Sequence, residues 1–205
     1  MTKKRSVRLA LLACASVGSV GLIAGASPAS AATATKTFTQ CFSTAAPILD
    51  FQTASAALNV PVPKNGKKIQ DGTVTNVGAG VRFTHTDDND VSVILASPGG
   101  RGISLEAGRG GVGDGFGTGA NSCSGSLVTF SDAFTTPIST PGNTGDNPVT
   151  GSFKPDQPLA TFNGSAARGN WTLLAHDQAG ADEGVLGAFS LSVTYTYKKA
   201  KKKKK

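Results

Sequence analysis

Two histidines, His85 and His176, are the residues of this chain best suited to act as a general base near neutral pH. A serine or cysteine hydrolase also needs a nucleophile and an orienting group within hydrogen-bond reach of that base. Both histidines lie in segments whose alternation predicts a strand, and no Gly-x-Ser-x-Gly nucleophile motif is present. We therefore predict no catalytic residues, a protein that is not an enzyme, and two histidines with structural roles.

Oxygen-bearing side chains are concentrated at residues 87–90, where the sequence reads Asp-Asp-Asn-Asp. Calcium takes about six to eight hard oxygen ligands, which carboxylates and amides supply. Asp114, Asp132, Asp177 or Asp182 would complete the shell if their loops converge with this turn, and we predict a calcium site formed by Asp88, Asp90 and Asp132. The alternative is an ordinary turn without a metal, because Asp and Asn favour turns and the spacing is not that of an EF-hand. Zinc is not indicated, since the His and Cys residues lack zinc-ligand spacing.

Residues 1–31 have the features of a secretory signal peptide. A positively charged start is followed by a short apolar run and by the small-residue cleavage sequence Ala29-Ser30-Ala31. We predict a secreted, extracellular protein, with cell-wall association left open, and no transmembrane segment, because no second apolar run follows. The alternative is a lipoprotein leader, since Leu11-Leu12-Ala13-Cys14 loosely resembles a lipobox.

Two cysteines, Cys41 and Cys123, remain once the predicted leader has removed Cys14. Exported proteins meet an oxidising environment in which paired thiols persist as disulfides. We therefore predict a Cys41–Cys123 disulfide, and the alternative is two unpaired thiols.

The net charge of +7 comes from the two ends of the chain. Between the predicted leader and residue 197, acidic side chains outnumber basic ones, so we expect no specific nucleic-acid binding. Residues 198–205 are predicted to be a disordered tail, because like charges repel and nothing apolar is available for burial. We predict that this tail binds an anionic cell-surface polymer, and the alternative is a solubilising end without a partner. The lysines concerned are Lys198, Lys199, Lys201, Lys202, Lys203, Lys204 and Lys205.

The elements that must position these groups are read most clearly between residues 163 and 197. Apolar residues at 189, 191, 193, 195 and 197 alternate with Ser and Thr, which predicts a half-buried strand. Trp171 and Leu173 indicate a strand before it, and the Gly- and Asp-rich segment between them predicts a hairpin. Many short strands separated by Gly and Pro predict an all-β protein, an antiparallel β-sandwich or jelly roll.

Three blocks of sequence carry a family resemblance. Residues 81–100 begin Val-Arg-Phe-Thr-His-Thr and end Ser-Pro-Gly-Gly, and residues 129–138 contain Phe-Ser-Asp-Ala and Thr-Pro-Ile. Residues 158–191 contain Pro-Leu, Phe-Asn-Gly, Gly-Asn-Trp-Thr-Leu and Gly-Val-Leu. In this order and spacing the blocks resemble the P-domain, or P/Homo B domain, of subtilisin-like proprotein convertases. The resemblance spans residues 59–197, and we expect residues 32–58 to be an N-terminal extension that packs on or leads into the domain.

This resemblance implies a non-catalytic accessory or interaction module associated with proteolysis, whose partner is a secreted protease or another protein. Family members can bind calcium, but Ser131 and Ala133 replace acidic residues often seen beside Asp132, which counts against that site. Phe189 stands where the family usually has Trp. We expect no catalytic domain in the short segment between the leader and the matching region. The alternatives are a cell-envelope or matrix adhesin tethered by its basic tail, and a peptidase-family protein whose activity the motifs do not reveal.

Overall fold

The structure is a computed structural model that describes residues 32–139 and 148–200. The predicted signal peptide, residues 140–147 and Lys201 to Lys205 lie outside the described residues. Within the described ranges, nine strands and two short 3-10 turns form the predicted all-β fold. The strands are β1 Thr33–Ile48, β2 Thr53–Val60, β3 Thr73–His85, β4 Val91–Ala96, β5 Gly102–Ala107, β6 Val128–Phe130, β7 Ser152–Phe153, β8 Gly169–Asp177 and β9 Gly184–Lys198, and the 3-10 turns are Asp88–Asp90 and Leu159–Phe162.

The strands form two sheets that pack face to face as a sandwich. One sheet has the order β1-β9-β3-β6-β7, and the other has the order β2-β8-β4-β5. Neighbouring strands are antiparallel except for β6 and β7, which are parallel. The chain stays in one sheet only between β4 and β5 and between β6 and β7, and each of the other connections between the described strands crosses from one sheet to the other. The predicted β-sandwich is thereby confirmed.

Strands β8 and β9 do not form the hairpin predicted for them. β8 pairs with β2 and β4, whereas β9 pairs with β1 and β3, so the two strands belong to different sheets. Each strand has one apolar face, and these faces enter the same core cluster. Because β8 and β9 lie in opposing sheets, their apolar faces cover each other in the core. In a hairpin the two apolar faces would lie side by side, and another element would have to cover them.

The alternation predicted for β9 is present in the structure. Phe189, Leu191, Val193 and Tyr195 are each 0% exposed, and the Ser and Thr residues between them face outward. Burying an apolar side chain of this size contributes about 1.5–3 kcal/mol to folding. β9 therefore anchors the five-stranded sheet to the core.

Trp171, in the middle of β8, is also completely buried. Its indole N–H donates a hydrogen bond of 3.0 Å to the backbone oxygen of Ala167. Its ring meets Phe162 edge to face, with ring centroids 5.0 Å apart. The polar atom of the largest core side chain is thus satisfied inside the protein.

The N-terminal residues from 33 to 60 supply one strand to each sheet. β1 pairs along its length with β9, from Thr33 opposite Lys198 to Ile48 opposite Gly184. Cys41 of β1 and Cys123, in the loop before β6, form a disulfide with their Cα atoms 6.0 Å apart. This bond links β1 to a loop that is also held by the side chain of Asn121, which donates a hydrogen bond of 3.0 Å to the backbone oxygen of Val185. The boundary predicted at residue 59 stays a prediction.

Candidate metal centre

Three aspartates from two separate turns meet at one end of the sandwich. Asp87 and Asp90 bracket the 3-10 turn between β3 and β4, and Asp182 lies in the turn between β8 and β9. The turns are brought together because β3 pairs with β9 up to their ends and β4 pairs with the end of β8. One side-chain oxygen from each aspartate lies within 4.8 Å of the others. We call Asp87, Asp90 and Asp182 the three-aspartate cluster.

Local hydrogen bonds orient two members of this cluster. The Asp87 carboxylate accepts a bond of 3.0 Å from the backbone N–H of Asn89, which caps the 3-10 turn. The hydroxyl of Thr86 donates a bond of 2.6 Å to Oδ1 of Asp182. No described residue donates a hydrogen bond to the carboxylate of Asp90. Two aspartates are therefore held in place, and the third is available to a ligand.

The electrostatics of the cluster favour a cation. The pKa of the Asp90 carboxyl is raised, first by burial and then by the negative charges of Asp87, Asp177 and Asp182. The proximity of His85 offsets part of this rise. A bound cation would remove the repulsion between these carboxylates. The donor set consists entirely of hard oxygens, which suits calcium rather than zinc or copper. The residues of the three-aspartate cluster therefore fit a calcium ion.

His85 is buried beside the cluster and is not available as a base. Its Nε2 lies 3.2 Å from Oδ2 of Asp177, and both side chains are 0% exposed. Its Nδ1 lies 2.6 Å from the backbone oxygen of Asp87. Both ring nitrogens are therefore engaged, and the ring is not exposed to solvent. Its position indicates a structural role between the two sheets.

His176, the second sequence candidate, lies on β8 and is half-buried. Its Nδ1 is 3.0 Å from the hydroxyl oxygen of Thr53 and 3.2 Å from the backbone oxygen of Gln52. Within the described ranges, no serine hydroxyl or cysteine thiol is hydrogen-bonded to the ring of either histidine. Among the described residues the geometry therefore offers no serine–histidine or cysteine–histidine pair, and the hydroxyl that meets a histidine ring is that of Thr53.

The sequence-predicted ligands Asp88, Asp90 and Asp132 are not brought together. Asp90 joins the three-aspartate cluster. Asp132 instead accepts hydrogen bonds from the backbone N–H groups of Leu159 and Ala160, at 2.9 and 2.6 Å, and so caps the second 3-10 turn. Asp88 points inward and is 0% exposed. The acidic residue from a second loop is therefore Asp182 rather than Asp132, and this partner depends on a strand pairing that the sequence alone did not reveal.

The basic tail is described only at its start. Lys198 ends β9, and its backbone N–H donates a bond of 3.0 Å to the side-chain oxygen of Gln70. Lys201 to Lys205 lie outside the described residues, and binding of an anionic polymer stays a prediction. For residues 32–139 and 148–200, we find no helix of sufficient length and apolarity to span a bilayer.

Comparison with known proteins places these features in a family. The family model of the proprotein convertase P-domain matches residues 74–193, more than half of the chain. The chain is also similar to the crystal structure of the Aeromonas sobria serine protease in complex with its chaperone, with a TM-score of 0.48 and 18% identity. That match covers 79% of this chain and 27% of the protease. The structure of the protease alone gives a TM-score of 0.46 and 16% identity, covering 80% of this chain and 27% of the protease.

Both solved structures are therefore much longer than the region that matches, since the chain corresponds to about a quarter of their length. A search of curated proteins found no match to this chain.

Proposed function

The chain belongs to the proprotein convertase P-domain family, and on that premise we propose that it is a secreted, non-catalytic module that binds a protease and holds calcium at its three-aspartate cluster. The proposed association with proteolysis rests on membership of this family. The calcium and the partner are inferred from the chemistry of the acidic end.

The burial of His85 is the observation that supports a non-catalytic role. Its two nitrogens are committed to Asp177 and to the backbone of Asp87. Freeing the ring to act as a base would break its buried hydrogen bond to Asp87 or to Asp177, which costs about 1–3 kcal/mol for a group left unsatisfied. A catalytic role for His85 would thus require the loss of buried contacts that stabilise the fold.

The role we assign to calcium is to fix the relative position of two turns. Asp87 and Asp90 belong to the turn after β3, and Asp182 belongs to the turn before β9. An ion shared by these carboxylates would set the shape of this end of the sandwich, because it ties together two loops that are distant in sequence. We infer that this end contacts the partner, and that the Cys41–Cys123 disulfide suits the module to an extracellular setting.

Labelling with a fluorophosphonate probe tests the non-catalytic part. This probe reacts covalently with activated serines, and we expect the purified chain to remain unlabelled while a secreted serine protease in the same gel is labelled. Labelling of the purified chain, lost in His85→Ala or in His176→Ala, would overturn the proposal.

Cross-linking in culture supernatant of the source organism tests the partner. We expect mass spectrometry to identify a secreted protease cross-linked to wild-type chain in the presence of calcium, and much less after Asp90→Asn plus Asp182→Asn. Asp71→Asn is the matched control, because the side chain of Asp71 is exposed and its one ion-pair contact among the described residues is the 3.9 Å contact with Arg168. Recovery of no protease, or equal recovery with both variants, would contradict the proposal.

A further inference from the structure

Glu106 is turned into the protein by a β-bulge in β5. The register of β4 against β5 shifts between Val93 and Ile94, which lie opposite Glu106 and Ser104. The additional residue, Leu105, places two consecutive side chains on the inner face, and both Leu105 and Glu106 are 0% exposed. Regular alternation would have left Glu106 at the surface. A specific backbone irregularity therefore directs a charged side chain into the interior.

Asp88 is buried at the same end of the sandwich, beneath the glycine-rich loop that follows β5. Its side chain is 0% exposed, and its backbone N–H donates a bond of 2.9 Å to the oxygen of Gly111. The loop passes so close that a Cβ at Gly110 would lie 2.5 Å from the Cβ of Asp88. Gly110 also has φ +129°, a conformation that favours glycine. Only glycine at this position lets the loop close over the carboxylate.

The two carboxylates converge on one short stretch of this loop. Gly110 packs against Asp88, and the backbone N–H of the preceding residue, Arg109, faces Glu106. Adjacent Cα atoms are only about 3.8 Å apart. Burial, then the charge of Asp156, and to a lesser degree that of Asp88, raise the pKa of Glu106, and the backbone N–H and charge of Arg109 offset part of this rise. Asp88 and Glu106 thus lie beneath adjacent residues of the same loop, and we call them the buried carboxyl pair.

Among the described residues, no cationic side chain forms a salt bridge with the buried carboxyl pair, although the charge of Arg82 acts on Asp88 and that of Arg109 acts on Glu106. None of the pair's four oxygens has a hydrogen-bond partner of acceptable geometry, although the amides of Arg109 and Gly115 approach them. The guanidinium of Arg109 is committed to both oxygens of Asp156, at 2.8 and 2.9 Å. Arg82 donates to backbone oxygens, including that of Phe116. Buried carboxylates without partners are rare in folded proteins, because their desolvation is not compensated.

We propose that Asp88 and Glu106 hold a second calcium ion, separate from the three-aspartate cluster and enclosed by the glycine-rich loop. Two carboxylates carry the charge needed to neutralise a divalent cation, and a glycine-rich loop can turn its backbone carbonyls toward an ion without steric hindrance. Magnesium suits this place less well, since it requires near-octahedral geometry and retains most of its water. The competing occupant is a proton on each carboxyl group, which would make both neutral.

Isothermal titration with calcium distinguishes an ion from protons. We expect wild-type chain, stripped of metal with a chelating resin, to bind two calcium ions, and Glu106→Gln to bind one. The sequence has one other glutamate, the exposed Glu183, so Glu183→Gln is the matched control and should bind two. Glu106→Gln that binds as much calcium as the control, with unchanged affinity, would overturn the proposal.

The variant Asp90→Asn plus Asp182→Asn separates this inference from the proposed function. We expect it to lose the ion at the three-aspartate cluster and to retain the ion at the buried carboxyl pair. If it loses nothing, the cluster does not bind calcium, and the result for Glu106→Gln is unaffected.

Hydrogen exchange on the wild-type chain provides a test that needs no variant to fold. We expect calcium to slow exchange by at least tenfold for amides of residues 106–115, because the ion would tie the loop to Asp88. Equal exchange of these amides with and without calcium would overturn the proposal even if Glu106→Gln fails to fold.

Discussion

Nε2 of His85 lies 3.2 Å from Oδ2 of Asp177, and the two side chains connect the two sheets inside the protein. His85 is the last residue of β3 in the five-stranded sheet, and Asp177 is the last residue of β8 in the four-stranded sheet. The pair lies directly under the three-aspartate cluster, because Asp87 follows His85 by two residues and contacts its ring through the backbone. The acidic end of the sandwich is therefore built on a buried hydrogen-bonded pair of side chains.

Replacing His85 by Ala should destabilise the protein strongly. Asp177 would keep the hydrogen bond from the N–H of Ala179 but would lose the partner of its other oxygen. We expect the free energy of unfolding to fall by about 3 kcal/mol or more, as for other buried pairs with one partner removed. Denaturant unfolding measures this loss. His176→Ala, in a half-buried position, is the control and should cost under about 1 kcal/mol; equal losses in the two variants would contradict the assignment.

The disulfide should contribute to stability through the length of the loop it closes. Cys41 and Cys123 are 82 residues apart in sequence, and the chain-entropy relation gives about 4.5 kcal/mol for such a loop. We expect Cys41→Ser plus Cys123→Ser to lower the free energy of unfolding by up to this amount. A reducing agent should destabilise wild-type chain and leave the double variant unchanged; if it destabilises neither, the bond does not form in solution.

Asp132 should matter for stability and not for metal binding. Its carboxylate caps the 3-10 turn Leu159–Phe162 with two charge-assisted hydrogen bonds. We expect Asp132→Ala to lower the free energy of unfolding by about 1–2 kcal/mol, with unchanged calcium stoichiometry and affinity in a calorimetric titration. Loss of a calcium ion in this variant would instead support the ligand set expected from the sequence.

In calcium-free buffer, Asp88 should make stability depend on pH. Burial raises the pKa of this carboxyl to about 7, above its value in an unfolded chain. The folded state therefore binds the proton more tightly, so the contribution of Asp88 is fully present below about pH 4 and is lost as the pH rises to about 7. Asp88→Asn has no such proton. We expect its melting temperature, relative to wild type, to increase across this range; a constant difference would contradict the assigned burial.

The part of the fold that the sequence predicted best is the part set by local alternation. The period of two in β9 predicts a half-buried strand, and the structure buries Phe189, Leu191, Val193 and Tyr195 as expected. The sheet to which each strand belongs depends on contacts between distant residues, and for this reason the hairpin of β8 and β9 was predicted wrongly. The length of β1 also depends on contacts between distant residues. Its pairing with β9 keeps the strand extended even where its sequence shows no clear alternation.

The sequence predicted which type of side chain forms the candidate site, but not which residues come together there. The Asp-rich turn identified Asp90, but Asp182 becomes its neighbour only through the pairing of β3 with β9. Glu106 was missed because alternation in β5 would place it outside, and a single-residue bulge reverses this. The glycine-rich loop directly after Glu106 was a signal available in the sequence. Glycine is common where the backbone passes close to another group, because it has no side chain to cause a clash.

The most direct test of a calcium-binding P-domain is the melting temperature with and without calcium. Calcium at a concentration one hundredfold above its dissociation constant should stabilise the folded chain by about 2.7 kcal/mol per site, or roughly 5 °C or more for a protein of this size. We predict such an increase for wild-type chain and a clearly smaller one for Asp90→Asn plus Asp182→Asn. A double variant that gains as much as wild type, or a wild-type chain that gains nothing, would contradict calcium binding at the three-aspartate cluster.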